Sequence, residues 1–345
     1  MSPEKRDIKS MLSEEIEAEL LSLGEPKYRA GQVFSWLHRA ISSFEQMTDL
    51  PKTLRTALDE RFYIKAPALK STLVSPTDGT VKFLWEFQDG AAVETVVMDY
   101  EHGYSICLSS QAGCRMGCAF CASTQGGLLR NLKPSEILDQ ALFSEAELSI
   151  KASNIVLMGI GEPLDNFDNV LRFLRLVNHP RGRNLGMRHI TLSTCGLPEE
   201  IDKLGALDLQ LTLSLSLHAP DDKTRSRLMP VNRKYGVESV LAACLRYYQT
   251  TGRRVSFEYA LIKGVNDSEA QASLLARKAK ELSAHVNLIP LNKIEGSPLE
   301  PSDKFRAFAR ILEDSGVNVT VRRRLGWDVD AACGQLRRRY SLRED

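Results

Sequence analysis

Ile106-Cys107-Leu108-Ser109-Ser110-Gln111-Ala112-Gly113-Cys114-Arg115-Met116-Gly117-Cys118-Ala119-Phe120-Cys121 opens the half of the chain in which the pattern becomes regular. Residues 106–109 form a short apolar run of strand character, and a loop carrying three cysteines within eight positions follows at once. Further apolar runs at residues 154–158, 190–193, 211–217, 257–262, 286–290 and 317–322 alternate with helical patterns at 134–147, 167–177, 237–248, 268–282 and 304–314. Lys133-Pro134-Ser135-Glu136 and Pro301-Ser302-Asp303 carry helix-start chemistry. Such alternation implies an α/β architecture, a parallel sheet with helices outside, either open or curled into a barrel. In both geometries ligands bind at the C-terminal ends of the strands, and the unusual residues of this chain fall there.

Upstream the pattern differs. Helical segments are expected at residues 13–21, 30–40 and 52–61, separated by the turn signals Gly24-Glu25-Pro26 and Leu50-Pro51. Between residues 69 and 98 the pattern is that of strands. Residues 81–87 roughly alternate, Gln88-Asp89-Gly90 turns the chain, and residues 92–97 return as the second arm of a hairpin. The expected organisation is a helical domain over 1–65, a β-hairpin and linker region over 66–100, and an α/β unit over 101–345.

The 345 residues are 43% hydrophobic and 26% charged, an ordinary composition for a soluble protein. With a formal net charge of +1, any nucleic-acid partner must be held by local basic patches. No secretory signal and no apolar run of roughly 18 residues is visible, so a cytoplasmic enzyme with no membrane partner is expected. Seven cysteines, three of them crowded together, read as metal or redox chemistry rather than a disulfide framework.

Three thiolates on one short loop suit a soft metal centre. The spacing of Cys114, Cys118 and Cys121 differs from the paired Cys-x-x-Cys knuckles of structural zinc, and no histidine or fourth cysteine lies nearby in the sequence. Zinc and a redox-sensing thiol cluster are the competing readings of the thiols taken alone. Three protein ligands on an iron–sulfur cubane leave one iron open to a substrate.

Placed after a strand, this motif resembles the signature of the radical SAM superfamily. The resemblance implies one [4Fe–4S] cluster on Cys114, Cys118 and Cys121, with S-adenosyl-L-methionine (SAM) bound at the open iron and cleaved to a 5′-deoxyadenosyl radical. It also implies SAM contacts from Gly161 and Glu162 toward the amino group. Ser193 and Ser216-Leu217-His218 would serve the ribose or carboxylate, and Asn292 the adenine edge. Singly, each would be a turn or a strand-end polar residue, and His218 a structural imidazole. Their recurrence at strand ends is what groups them.

A closer resemblance follows. Lys27-Tyr28-Arg29-Ala30-Gly31-Gln32, the stretches 107–114, 158–166 and 212–218, Arg227-Leu228-Met229-Pro230 and Asp330-Ala331-Ala332-Cys333-Gly334-Gln335-Leu336 occur in the order found in the RlmN/Cfr branch of radical SAM methyltransferases. The similarity covers essentially the whole chain. It implies an open, partial (β/α)6 TIM-like barrel with a small helical N-terminal domain and a β-hairpin extension.

The implied chemistry answers a real difficulty, since carbon 2 of adenine is not nucleophilic and cannot displace a SAM methyl. In this branch Cys333, as thiolate, would take a methyl from one SAM. The radical from a second SAM would remove a hydrogen from that methyl, and the resulting carbon radical would add to the ring. Glu94 would take the ring proton, and Cys107 would attack Cys333 to release the product and leave a transient disulfide. Without the resemblance, Cys107 is an inert buried thiol, Cys333 a packing residue and Glu94 a solvent-facing strand residue. Cys195 and Cys244 match no functional position and are read as packing.

The implied substrates are the peptidyl-transferase-centre adenosine of 23S rRNA and the tRNA adenosine beside the anticodon. Pro163 favours the carbon-2 enzymes over the Cfr-like carbon-8 alternative; a radical SAM enzyme on a non-RNA substrate is the third reading. Arg322-Arg323-Arg324 and Arg337-Arg338-Arg339 flank Cys333, and Lys27, Arg29, His38, Arg39, Lys52 and Arg55 make the N-terminal domain locally basic, as phosphate contacts require. The expected enzyme is a monomer served by a flavodoxin-type electron donor.

Overall fold

In the computed structural model, which describes residues 4–294, 296–323, 325, 326, 328 and 336, ten strands form one sheet in strict chain order. They are β1 (Ala68–Val74), β2 (Val81–Glu86), β3 (Ala92–Tyr100), β4 (Gly103–Cys107), β5 (Asn154–Leu157), β6 (Ile190–Thr194), β7 (Thr212–Ser216), β8 (Ser256–Leu261), β9 (His285–Pro290) and β10 (Val319–Val321). From β1 to β4 the pairing is antiparallel, and from β4 onward it is parallel. The hairpin arms therefore continue the α/β sheet, and β4 is the seam. Six parallel strands, β4–β9, match the implied partial barrel, and the three-residue β10 adds a seventh.

Alternation of side chains decides what each face does. Ile106, Leu108, Ile155, Leu157, Leu192, Leu213, Leu215, Phe257, Tyr259, Val286 and Leu288 point outward into the main apolar core with the helices. The residues between them, including Cys107, Ser193, Ser216 and Glu258, point inward. Strands β5 to β10 lying flat would spread over about 24 Å. Yet Met158, Ser193, Ser216, Glu258, Ile289 and Arg322, one from each strand or its end, line a single cavity of about 230 Å³, so the sheet is curled. Its two edges do not pair among the described residues, so the barrel stays open.

β1 falls within the strand region expected over 69–98, whereas two helices lie where the sequence reading placed none. β1 is an edge strand of mostly exposed residues, without a buried alternation to mark it. The helix Pro198–Ala206 is too short to establish a period. The helix Asp222–Leu228 has almost no apolar residue and is set by its cap, the Asp221 side chain accepting from Thr224 N at 2.8 Å.

The N-terminal helices Ser13–Ser22, Tyr28–Leu37 and Lys52–Arg61 bury Ile16, Leu20, Val33, Phe34 and Leu58 in the same core as Phe173 and Val177 of the barrel's outer layer. Polar contacts pin this junction. Lys9 and Asp139 form an ion pair with both side chains 1% exposed, and Ser135 Oγ donates to Asp7 Oδ2 at 2.6 Å. Arg172 Nη2 meets Glu15 Oε1 at 2.9 Å. The expected basic face is narrower than its residue types suggest. Lys27 pairs with Glu17 at 2.8 Å, Arg55 with Glu45 at 3.0 Å and Arg29 with Glu25 at 3.9 Å. His38 lies inside, its ring nitrogens 2.9 Å from Phe34 O and 3.1 Å from Leu176 O. Arg39, over the Trp36 ring at 4.1 Å, and Lys52 remain exposed cations. Among the described residues no helix is long and apolar enough to cross a membrane.

Lys9→Met strands the Asp139 carboxylate and should cost roughly 3–5 kcal/mol in urea unfolding, with most of it recovered in Lys9→Met/Asp139→Leu. Burial pushes His38 down to about 4, so below the usual histidine value only the unfolded chain takes up its proton. Relative to His38→Gln, stability should be level above pH 6.5 and fall by about 1.4 kcal/mol per unit as pH drops from there toward 4. A pH-independent difference between the two proteins would contradict this assignment.

Candidate active site

The cysteine loop begins where β4 ends and is tied down at its base. Gln111–Gly113 pairs antiparallel with Leu128–Asn131, and Cys114 N donates to Gly127 O at 3.0 Å. Gly113 sits at φ +85°, and a Cβ there would lie 2.1 Å from Gly127 O, so only glycine closes this turn. Within the loop, Thr124 Oγ1 donates to Cys121 O at 2.9 Å and Ala119 N donates to Leu228 O at 2.8 Å. Arg115 clamps Asp165 through two bonds of 2.8 Å, and Gln111 Nε2 reaches the same carboxylate at 2.8 Å.

Opposite this loop the end of β5 crosses very close. Ile160 O accepts from both Ser110 N (2.9 Å) and Gln111 N (3.1 Å), while Ile160 N donates to Ser109 Oγ at 3.0 Å. A Cβ on Gly159 would lie 2.6 Å from Leu108 O, and one on Gly161, at φ +111°, would lie 2.7 Å from Gln111 N. The two glycines thus serve backbone-to-backbone approach. Glu162 follows at 4% exposure, its carboxylate accepting from Cys195 N at 2.7 Å and Leu164 N at 3.1 Å. Burial pushes this carboxyl above the usual range, opposed by those backbone donors.

Cys114, Cys118, Cys121, Gly161, Glu162, Ser193, Ser216 and His218 all line the one cavity. Ser193 Oγ and Ser216 Oγ lie 3.2 Å apart. His218 is held at φ +54°, accepts from Ala260 N through Nδ1 at 2.9 Å and packs edge-on against Phe120 at 4.6 Å. Burial, reinforced by Arg225, pushes its pKa down to about 3, so the imidazole is neutral, and because Nδ1 accepts, Nε2 carries the proton. Leu217 points into the core, and its backbone N and O already bond Glu258 O and Arg225 Nε. Asn292 is exposed beyond β9 and does not line the cavity. Cys333 lies outside the described residues.

The cavity also holds residues that sequence reasoning passed over. Cys195, taken as packing, lines it beside Glu162, and so does Glu258, whose signal was a carboxylate in the middle of an alternating apolar strand. Arg225, fully buried, ties the loop ends together by donating to Leu217 O, Ser216 O and Cys195 O.

The donor set fits a polynuclear cluster better than one ion. Among the described residues no three His, Cys, Asp or Glu side chains converge closely enough to hold a single metal ion. A mononuclear zinc site requires its sulfurs about 3.8 Å apart, whereas a cubane carries each thiolate on a separate iron. Burial pushes Cys114 up to about 12 and raises Cys118 as well, so binding must displace their protons.

Anaerobic reconstitution should load iron and sulfide onto the wild-type chain and onto none of Cys114→Ala, Cys118→Ala or Cys121→Ala. Gly161→Ala should lower both the melting temperature and the bound iron. Gly126→Ala, also at positive φ but with nothing within 4 Å of a Cβ, should cost only the backbone strain, about 1–3 kcal/mol, and keep its iron.

Comparisons with known proteins agree with this geometry. Residues 108–275 match the model of the radical SAM superfamily, and residues 7–64 match that of the ribosomal RNA large subunit methyltransferase N-terminal domain. A probable dual-specificity RNA methyltransferase RlmN of Alkaliphilus metalliredigens is 47% identical over 98% of this chain and 96% of its own length. That of Clostridioides difficile is 45% identical over 99% of this chain and 100% of its own. The crystal structure of a radical SAM methyltransferase from Sphaerobacter thermophilus superposes with a TM-score of 0.90 at 42% identity, covering 96% of this chain and 98% of that one. A [4Fe–4S] cluster and SAM are the cofactors that go with this superfamily. The chain belongs to the RlmN family of radical SAM RNA methyltransferases.

Proposed function

We propose that this enzyme methylates carbon 2 of adenosine, at the peptidyl transferase centre of 23S rRNA and in tRNA beside the anticodon, through a methylated Cys333. The observation that carries the reading is the position of Cys107. It ends β4 on the sheet's inner face, packed with Val96, Met98, Met158 and Leu325, immediately before the loop of Cys114, Cys118 and Cys121. Glu94 stands two residues before Val96, the partner of Cys107 in register, and so shares that inner face. Its carboxylate meets Lys82 Nζ at 3.0 Å with both side chains buried.

Further support comes from the chain's course after β10. Arg322 lines the cavity, Leu325 packs against the cluster of Val96, Met98 and Cys107, and Gly326 N and Asp328 bond the turn between β1 and β2 through Asp78, Ser75 and Thr77. Described residues that precede Cys333 in the chain thus stand against the inner-face cluster that holds Cys107. The family name of residues 7–64 supports an rRNA substrate, and the dual specificity in the relatives' names supports a second RNA substrate.

Bound in the cavity, cluster and SAM supply a methyl group and one-electron cleavage of the sulfonium bond. The chain's own residues do the rest. Cys333 carries the methyl group on sulfur, Glu94 accepts the proton lost from carbon 2, and Cys107, as thiolate, displaces the product at the Cys333 sulfur, forming a disulfide. Lys82 orients Glu94 through their buried contact. Gly161, Glu162, Ser193, Ser216 and His218 hold SAM, with Leu217 keeping the strand end in place and Asn292 reading the adenine edge. A flavodoxin-type electron donor, a monomeric enzyme and a cytoplasmic setting complete the reading.

After incubation with SAM, mass spectrometry should find a methyl group on the peptide containing Cys333, and rRNA fragments should yield 2-methyladenosine. An unmodified Cys333 would sink the mechanism, and 8-methyladenosine would move the enzyme to the Cfr-like class. Glu94→Gln should slow product formation by roughly a hundredfold or more while methylation of Cys333 persists.

A further inference from the structure

The inner face of the sheet carries a buried carboxylate that the proposed mechanism does not use. Glu258 of β8 lies in register with Ser216 of β7 and Asn287 of β9, at 3% exposure. Its Oε1 is fully engaged, accepting from Ser214 Oγ at 2.6 Å and Asn287 Nδ2 at 2.9 Å. Its Oε2 is buried and has no hydrogen-bond partner among the described residues. A buried, unsatisfied carboxylate oxygen is costly, and it persists where a ligand completes it. Glu258 lines the cavity of the three cluster cysteines, so a donor arriving there is what Oε2 lacks.

We propose that Glu258 is a cofactor-binding residue whose Oε2 accepts a hydrogen bond from the ribose hydroxyls of SAM. The inference rests on SAM occupying this cavity. Around the curled sheet the lining runs from the cysteines after β4, through Glu162 after β5, to Ser193 of β6, Ser216 of β7 and Glu258 of β8. A ligand whose amino-acid end meets the cluster and Glu162 presents its next portion, the sugar, to β6–β8. A ribose diol offers two O–H donors. Ser193 and Ser216 can donate or accept, but a carboxylate only accepts, and its bond to a hydroxyl is charge-assisted. The exocyclic amino group of adenine is the rival donor.

The test uses the full-length, cluster-loaded protein and calorimetric titration with SAM, its 2′-deoxy and 3′-deoxy analogues and its N6-methyl analogue. At least one deoxy analogue should bind wild-type protein about tenfold more weakly than SAM. In Glu258→Gln, SAM itself should weaken by a similar factor, and loss of the same hydroxyl should then cost less than about threefold. Equal deoxy penalties in both proteins would overturn the proposal, as would a variant in which only the N6-methyl penalty vanishes. The wild-type titrations stand even if the variant folds poorly, because deoxy analogues that bind wild type as tightly as SAM refute it directly. Wild-type protein that loads iron and binds no SAM would instead overturn the cofactor's location, and this inference with it.

Discussion

The site depends on two strand ends touching backbone to backbone. Residues 108–111 leave β4, residues 159–161 leave β5, and the hydrogen bonds to Ile160, two from backbone N–H groups and one to the Ser109 hydroxyl, lock them together. The cysteine loop grows from the first segment and the buried Glu162 from the second. Their separation is therefore set by peptide geometry, which is stiffer than any rotamer. Gly159 and Gly161 make this approach possible, and their lack of side chains is their contribution.

Around this clamp the sheet divides labour between its faces. The outward residues are mostly apolar and supply the core, as expected of strands covered by helices. The inward residues include hydroxyls, a carboxylate and a thiol, an arrangement that a packed barrel would not tolerate. The cost is visible in His218, kept neutral by burial, and in Glu258, with one oxygen unpaired. Both are the kind of local inconsistency that a functional surface requires.

Much of this was legible in the sequence, for identifiable reasons. A strand followed by three close cysteines, then regular alternation, carries its own geometry, and the parallel strands fall within a few residues of their expected places. What escaped depended on tertiary partners. Asp139 is 130 residues from Lys9, and neither residue announces the other. Glu258 sits in a strand whose alternation already looked complete, so the burial of its charge became apparent only in three dimensions. Cys195 reads as packing by type, yet the turn after β6 carries it to the cavity wall. The basic residues of the N-terminal helices read as a phosphate-binding face until their glutamate partners are seen.

The shared core between the N-terminal helices and the barrel's outer layer has a consequence for how this enzyme can vary. A unit joined by a linker can be lost, exchanged or appended with little penalty. Here the helices cover Phe173 and Val177 and neutralise Asp139, so excising them would uncover apolar surface and abandon a charge in the interior. The helical part is not an attachment to a radical-generating barrel but a wall of it. Any shorter descendant would have to rebuild that wall before it could dispense with the helices.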